Sequence, residues 1–222
     1  MKGFYVVLVA VAIGGAAWLV YAGRHKPEER RVPTNPAPTP VPAAGAFRGY
    51  TLGSDSAPVH ITEYSDFECP FCASFVTVQM PEVRAQLINT GKVHWRFRDF
   101  PLSNHKYSHL AALAAQCAGE QGKFWEMHDQ LFYNHQWAQR GKDPSGLFRG
   151  FAKTIGLDGD RYDACMDSQR YASRLEESRQ EGEAVGVDHT PSLYVDGRVF
   201  KGQPTSDGLK ALVDSLIAHR KH

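Results

Sequence analysis

Cys69 and Cys72 are separated only by Pro70 and Phe71, and they stand between an alternating segment, "VHITEY", and a run of apolar residues at helical spacing. In the alternating segment Val59, Ile61 and Glu63 share one strand face and His60, Thr62 and Tyr64 the other, which sets a carboxylate on an apolar face. After the cysteines Val76, Met80, Val83 and Leu87 mark a helix, within which Pro81 is expected to cause a kink, and "NTG" ending at Gly91 stops it. In "KVHWRFRDF", Val93, Trp95 and Phe97 alternate against His94, Arg96 and Arg98, a second strand whose arginines are expected on a solvated face. Strand, cysteine turn, helix and strand at these lengths predict a parallel crossover.

The order continues with helices. Apolar positions at Leu110, Leu113 and Cys117 and then Phe124, Met127 and Leu131 extend a helical reading from Ser108 to about Phe132, and at least two more segments follow before "TPSLYVDGRVFKG". There Asp196-Gly197 is the dipeptide of a tight hairpin turn between Leu193–Val195 and Arg198–Phe200. The last helix presents Leu209, Leu212, Leu216 and Ile217 inward. The class is therefore α/β, with the pattern β-α-β, a helical block, then β-β-α.

Upstream, Phe4 to Gly23 is an uncharged apolar run of about twenty residues, long enough as a helix to cross a hydrocarbon core of roughly 30 Å. Its length favours a retained anchor over a removed signal segment. Lys2 precedes the run while Arg24, Lys26, Arg30 and Arg31 follow it, a distribution that by charge alone keeps the following side cytoplasmic. The cysteine content favours an oxidising compartment, and export is the expectation adopted. Residues 27–46 carry proline at 27, 33, 36, 38, 40 and 42, a polyproline-like spacer. The expected organisation is an anchor over 1–26, a linker over 27–46, and a domain over 47–107 and 187–222 interrupted by a helical insertion at 108–186. With 25 basic against 24 acidic residues, and no basic stripe interleaved with aromatics, nucleic acid is not an expected partner.

A Cys-x-x-Cys turn at a helix start sets its first sulfur near unpaired backbone N–H groups and the positive end of the helix dipole, which favour thiolate over thiol. Cys69 is thus the candidate nucleophile, and thiolate stabilisation makes its disulfide with Cys72 more oxidising. A zinc site would need a second short-spaced pair. Cys117 and Cys165 stand apart, and His105 with His109 lacks a cysteine companion, so no metal is expected. A purely structural Cys69–Cys72 crosslink is the other alternative. As for Cys117 and Cys165, each on the apolar side of its helix, two buried thiols or a bond between them both satisfy the pattern.

"SDFECPFC", "QGKFWEMHDQLF" and "HTPSLYVDGRVFKG", in that order, resemble the active-site turn, inserted helical domain and cis-proline loop of the DsbA-like thiol-disulfide oxidoreductases of the thioredoxin superfamily. The resemblance runs from about Gly53 to the C-terminus. It implies a thioredoxin fold with a helical insertion. Cys69 matches the exposed nucleophile, Cys72 the buried resolving thiol, Pro191 the cis-proline and Thr190 a backbone contact for substrate. Glu63 matches a buried acid that exchanges a proton with the resolving thiol. Pro70 and Phe71 would tune the potential, with Phe71 adding apolar contact for clients. From its place beside Thr190, His189 is a candidate neighbour of the sulfurs that would favour thiolate if protonated, with a histidine on a surface loop as the default reading. A disulfide between Cys117 and Cys165 is implied by the same resemblance. So is an activity: donation of the Cys69–Cys72 disulfide to unfolded, exported cysteine-containing proteins, reoxidation by a quinone-linked membrane partner, and no organic cofactor. A reductase or isomerase, or a non-catalytic peptide-binding domain, are the rival readings.

Overall fold

The computed structural model describes residues 47–220. The expected anchor and the whole of the spacer lie outside them, and among the described residues no helix is long and apolar enough to cross a membrane.

The elements run β1 (Tyr50–Leu52), β2 (Val59–Ser65), α1 (70–88), β3 (Val93–Asp99), α2 (Ser108–Gly119), α3 (Phe124–Tyr133), a 3₁₀ turn (His135–Gln139), α4 (Ser145–Thr154), α5 (Gly159–Ser168), α6 (Ala172–Ala184), β4 (Ser192–Val195), β5 (Arg198–Val199) and α7 (Ser206–His219). The strands form one sheet in the order β1-β3-β2-β4-β5. β2 and β3 are parallel across the α1 crossover, and β4 returns antiparallel to β2 with Glu63 opposite Leu193. The arrangement is a thioredoxin fold, with five helices placed between β3 and β4.

Alternation makes one face of β2 and β3 apolar over most of its length, with Val59 and Ile61 beside Val93, Trp95 and Phe97 all buried, and sets the buried polar residues Glu63, Ser65 and Asp99 towards its C-terminal end. Phe75 of α1 stacks on Trp95 at 6.1 Å, and Val76, Met80, Val83 and Leu87 join the same core with Leu209 and Val213 of α7. α7 thus turns inward on Leu209 and Val213, while Leu212, Leu216 and Ile217 are only partly covered. Pro81 does not end α1. The helix passes through it by changing hydrogen-bond register, with wider i→i+5 turns at Phe75–Gln79 and Arg84–Ile88 around Met80–Val83.

The other sheet face corrects the sequence reading. Arg98 is not solvated but 3% exposed, and Arg96 is half-covered. α6 crosses this face, with Gly182 against Phe100 and Tyr64 and with Glu181 bonded to Arg96, Arg98 and the Tyr64 hydroxyl. Alternation located the polar face correctly, but it carries no information about a helix that returns to cover it more than eighty residues later. The three-residue strand β1, antiparallel to β3 at the sheet edge, was also absent from the sequence reading.

Cys117 on α2 and Cys165 on α5 form a disulfide with Cα atoms 5.7 Å apart, closing a loop across a sequence separation of 48. A loop of that length implies a stabilisation of about 4 kcal/mol through the unfolded chain. Replacing both cysteines with alanine should lower the urea unfolding free energy by about that amount, whereas unchanged stability would show that helix packing alone holds the insertion together.

Candidate active site

β2 ends at Ser65, and the chain turns through Asp66, Phe67 and Glu68 before Cys69 opens α1. Cys69 is the N-cap, in extended conformation with φ −73° and ψ 123°, and Pro70 occupies the first helical turn, where its missing N–H costs nothing. Both cysteines are unbonded and buried, Cys72 at 0% exposure and Cys69 at 3%. Cys69 is therefore more enclosed than the exposed nucleophile of the sequence reading. Thr190 closes over it, and the Cys69 thiol donates to the Thr190 carbonyl at 3.4 Å. Pro70 and Phe71 both face solvent, Phe71 at 70% exposure.

The two sulfurs are driven in opposite directions. The Cys69 thiol falls to about 5, chiefly because the Cys72 side chain donates a hydrogen bond to it; burial opposes this, and the Thr190 side chain and the backbone N–H groups of Cys72 and Phe71 assist. The helix N-terminus identified from sequence is thus a secondary influence, behind the neighbouring thiol. Cys72 goes well above the usual thiol range, first through burial and then because its proton serves Cys69. Glu63 is buried beneath the turn, and burial pushes its carboxyl up to about 7 against the hydrogen bond from the Trp95 indole at 3.1 Å.

The Thr190–Pro191 peptide is cis and brings the start of β4 against the cysteine turn. Phe71, Phe75, Gln79, Pro191 and Pro204 line a groove of about 130 Å³ that runs past the cysteine turn at Phe71 without being lined by either cysteine. A larger cleft of about 530 Å³ lies between the loop after β3 and α6, lined by His105, His109 and Glu176 but by neither cysteine. Among the described residues no group of three or more His, Cys, Asp or Glu is disposed to hold a metal ion, and Cys117 and Cys165 are committed to each other.

His189 is not brought to the sulfurs: its side chain is 72% exposed and its Nδ1 lies 2.6 Å from Asp188. The histidine that does lie near Cys69 is His135, in the 3₁₀ turn of the insertion, held below the usual histidine range by burial while Cys69 and the backbone of Glu68 and Phe67 act the other way. Nothing in local spacing points to it, because the insertion folds back over the turn only in three dimensions. Asp66 was also missed. Its Oδ1 accepts from Glu68 N and Ser108 Oγ, and its Oδ2 accepts from Leu102 N and lies 2.8 Å from His105 Nδ1. One buried carboxylate therefore pins the approach to Cys69 onto the loop after β3 and the first turn of α2.

The family model described as "Thioredoxin" matches residues 47–215. Disulfide bond formation protein D of Bacillus subtilis is 28% identical over 169 residues, covering 75% of this chain and 76% of that protein. The Na(+)/H(+) antiporter NhaA 1 of Salinispora arenicola is 37% identical over 172 residues, 77% of this chain, and the chain spans only a quarter of the length of that relative. Among solved structures, oxidised BdbD of B. subtilis superposes with a TM-score of 0.65 at 26% identity, covering 76% of this chain and 92% of that one. DsbA of Chlamydia trachomatis shares the fold with a TM-score of 0.67 at 22% identity, covering 78% and 91%. The matched span holds the cysteine turn, the inserted helices and the cis-proline strand alike, and the chain belongs to the thioredoxin family as one of its DsbA-like members.

Proposed function

We propose that this chain is a protein disulfide oxidase that donates a Cys69–Cys72 disulfide to exported, unfolded cysteine-containing proteins. The observation that carries the reading is the opposite displacement of the two thiols, Cys69 to about 5 and Cys72 well upward. A client thiolate attacks Cys69, Cys72 departs and takes up a proton, and a second client thiolate displaces Cys69 from the mixed disulfide. Cys69 leaves readily because it is stable as a thiolate, which favours the forward direction and supports oxidase over reductase or isomerase. The groove lined by Phe71 and Pro191 suits an extended client segment, and the Thr190 carbonyl, which accepts from Cys69 only while that residue is a thiol, would be open to a client N–H once the Cys69–Cys72 disulfide is in place.

The name of the B. subtilis relative, a disulfide bond formation protein, supports the same direction. In the antiporter relatives a matching stretch is part of a protein named for ion exchange, which supports work at a membrane surface. The apolar run at Phe4 to Gly23 would tether the domain on the extracytoplasmic side of the cytoplasmic membrane, where a quinone-linked membrane oxidase would restore the disulfide. The redox-active pair needs no further cofactor.

Oxidised protein should convert a reduced, unfolded client to its disulfide form, and Cys69→Ser should abolish this. Cys72→Ser, mixed instead with the disulfide form of the client, should accumulate a mixed disulfide separable by non-reducing electrophoresis, because the Cys69 thiolate attacks the client disulfide, one client thiolate leaves, and no second enzyme thiol resolves the bond. A couple potential nearer about −120 mV than about −270 mV is expected; the lower value would return the chain to the reductase reading.

The pH dependence has a definite sign. Cys69 in the folded protein titrates at about 5, below its unfolded value, so the reduced state gains stability that is full above the unfolded thiol range and lost as pH falls through about 5. Alkylation of Cys69 should therefore stay nearly constant from neutral pH downward and fall only near pH 5. A midpoint near the ordinary thiol value of about 8.5 would remove the proposed activation.

A further inference from the structure

The next step rests on the oxidoreductase reading and concerns how the buried proton reaches the resolving thiol. Glu63 and Ser65 are two residues apart on β2, so both side chains emerge on the sheet face that carries the main core. Each residue is 1% exposed, and Cys72 above them is fully buried. Trp95 Nε1 fixes Glu63 Oε2 at 3.1 Å, while Glu63 Oε1 and Ser65 Oγ have no aligned hydrogen-bond partner among the described residues. Asp99 Oδ1, on the strand beside Ser65, is likewise without a partner, and three unpartnered buried polar atoms on one face near a buried thiol call for an explanation. The Ser65 hydroxyl bears on both neighbours, favouring the charged form of the Glu63 carboxyl and of the Cys72 sulfur. A hydroxyl donates and accepts at once, and so can receive a proton from one group while giving its own to another.

We propose that Ser65 is a positioning residue that relays the proton between Glu63 and Cys72. When a client thiolate attacks Cys69, the client–Cys69 bond forms as the Cys69–Cys72 bond breaks, and the electron pair of the broken bond leaves on the Cys72 sulfur. Ser65 gives its proton to that sulfur and takes the proton of Glu63, leaving a Cys72 thiol and a Glu63 carboxylate. A second client thiolate then releases Cys69 as a thiolate. The two client thiols have shed two protons to solvent, and Glu63 recovers one of them.

Other charged or titratable groups surround this path. Trp95 on β3 holds Glu63, and Arg84 on α1 bears on it electrostatically. Asp99 on β3 is the register partner of Ser65 and, like Glu63, is raised to about 7 by burial; its Oδ2 is held by Gln116 of α2 and its Oδ1 has no partner among the described residues, which makes it the rival acid to Glu63. His128 of α3 packs on Phe97 and is kept below the usual histidine range by burial. From β4, the residue opposite Glu63 is the uncharged Leu193.

The test is stopped-flow reduction of the oxidised full chain by dithiothreitol across neutral pH, each rate divided by the thiolate fraction of the reductant. In the unaltered chain this normalised rate should fall as pH rises through about 7, because protonated Glu63 is the acid. Ser65→Ala should lower the rate about tenfold on the acid side and flatten the fall. Ser65→Thr, which restores a hydroxyl, should recover both. Ser65→Ala combined with Glu63→Gln should be no slower than Glu63→Gln alone, since the two act in series. Asp99→Asn should leave the fall in place. Uniform slowing in Ser65→Ala with the fall intact would mark a structural role and overturn the relay, as would a fall abolished by Asp99→Asn and kept in Ser65→Ala. If the unaltered chain fails to oxidise a reduced client at all, the oxidoreductase reading falls and the relay with it.

Discussion

The pairing of a buried Cys72 thiol with Cys69 at a helix N-terminus drives the two thiols apart in acidity, Cys69 downward and Cys72 upward, and the surrounding elements hold that asymmetry in place. Cys72 is sealed by the sheet and α1, so its charged form is suppressed and its proton stays available to its neighbour. Cys69, at the helix N-cap, has backbone N–H groups that the helix cannot use internally. One turn of helix thereby separates two chemically identical thiols into a stable anion and a stable acid. The β2-α1-β3 crossover fixes where that turn sits, and β4, antiparallel to β2, returns Thr190 to the same edge of the sheet.

The inserted helices are fastened to this edge by polar groups as much as by apolar packing. Phe67 lies between Phe97 and Phe132, with ring centroids at 5.4 and 4.9 Å, so the loop before Cys69 is wedged between the sheet and α3. Asp66 fills its acceptor sites across three segments, and Glu68 takes the Tyr107 N–H at the start of α2. On the opposite sheet face Glu181 satisfies Arg96, Arg98 and Tyr64 together, which is what lets a guanidinium as enclosed as that of Arg98 stay in the interior. Removing one member of such a network leaves another charge without compensation.

What the sequence disclosed follows from the range of the interactions concerned. Strands β2 and β3, helix α1 and the Asp196-Gly197 turn are written in local periodicity and turn chemistry, and they are legible in a few residues each. The coverage of Arg98 by α6, the position of His135 beside Cys69 and the role of Asp66 depend on a helical block returning to the sheet, and no local pattern encodes that return. His189 illustrates the converse. It stands next to Thr190 in sequence, yet its side chain turns to Asp188 and solvent. β1 escaped notice because a three-residue edge strand has too few positions to show alternation and takes its register wholly from β3.

Glu63 and Asp99 show why the type of a buried residue does not assign its role. Both are acids on the same sheet face, and burial raises both to about 7. Asp99 accepts from Gln116, whose own Oε1 is taken by Tyr50 and Arg174, so it belongs to a bonded chain tying β3 to β1, α2 and α6. Moving its proton would disturb contacts on four elements. Glu63 accepts from the Trp95 indole through Oε2, and Glu63 Oε1 and Asp99 Oδ1 are alike left without a partner among the described residues. What separates the two acids is how far their bonds extend: the bond to Asp99 continues through Gln116 to β1 and α6, whereas the bond to Glu63 ends at the Trp95 indole.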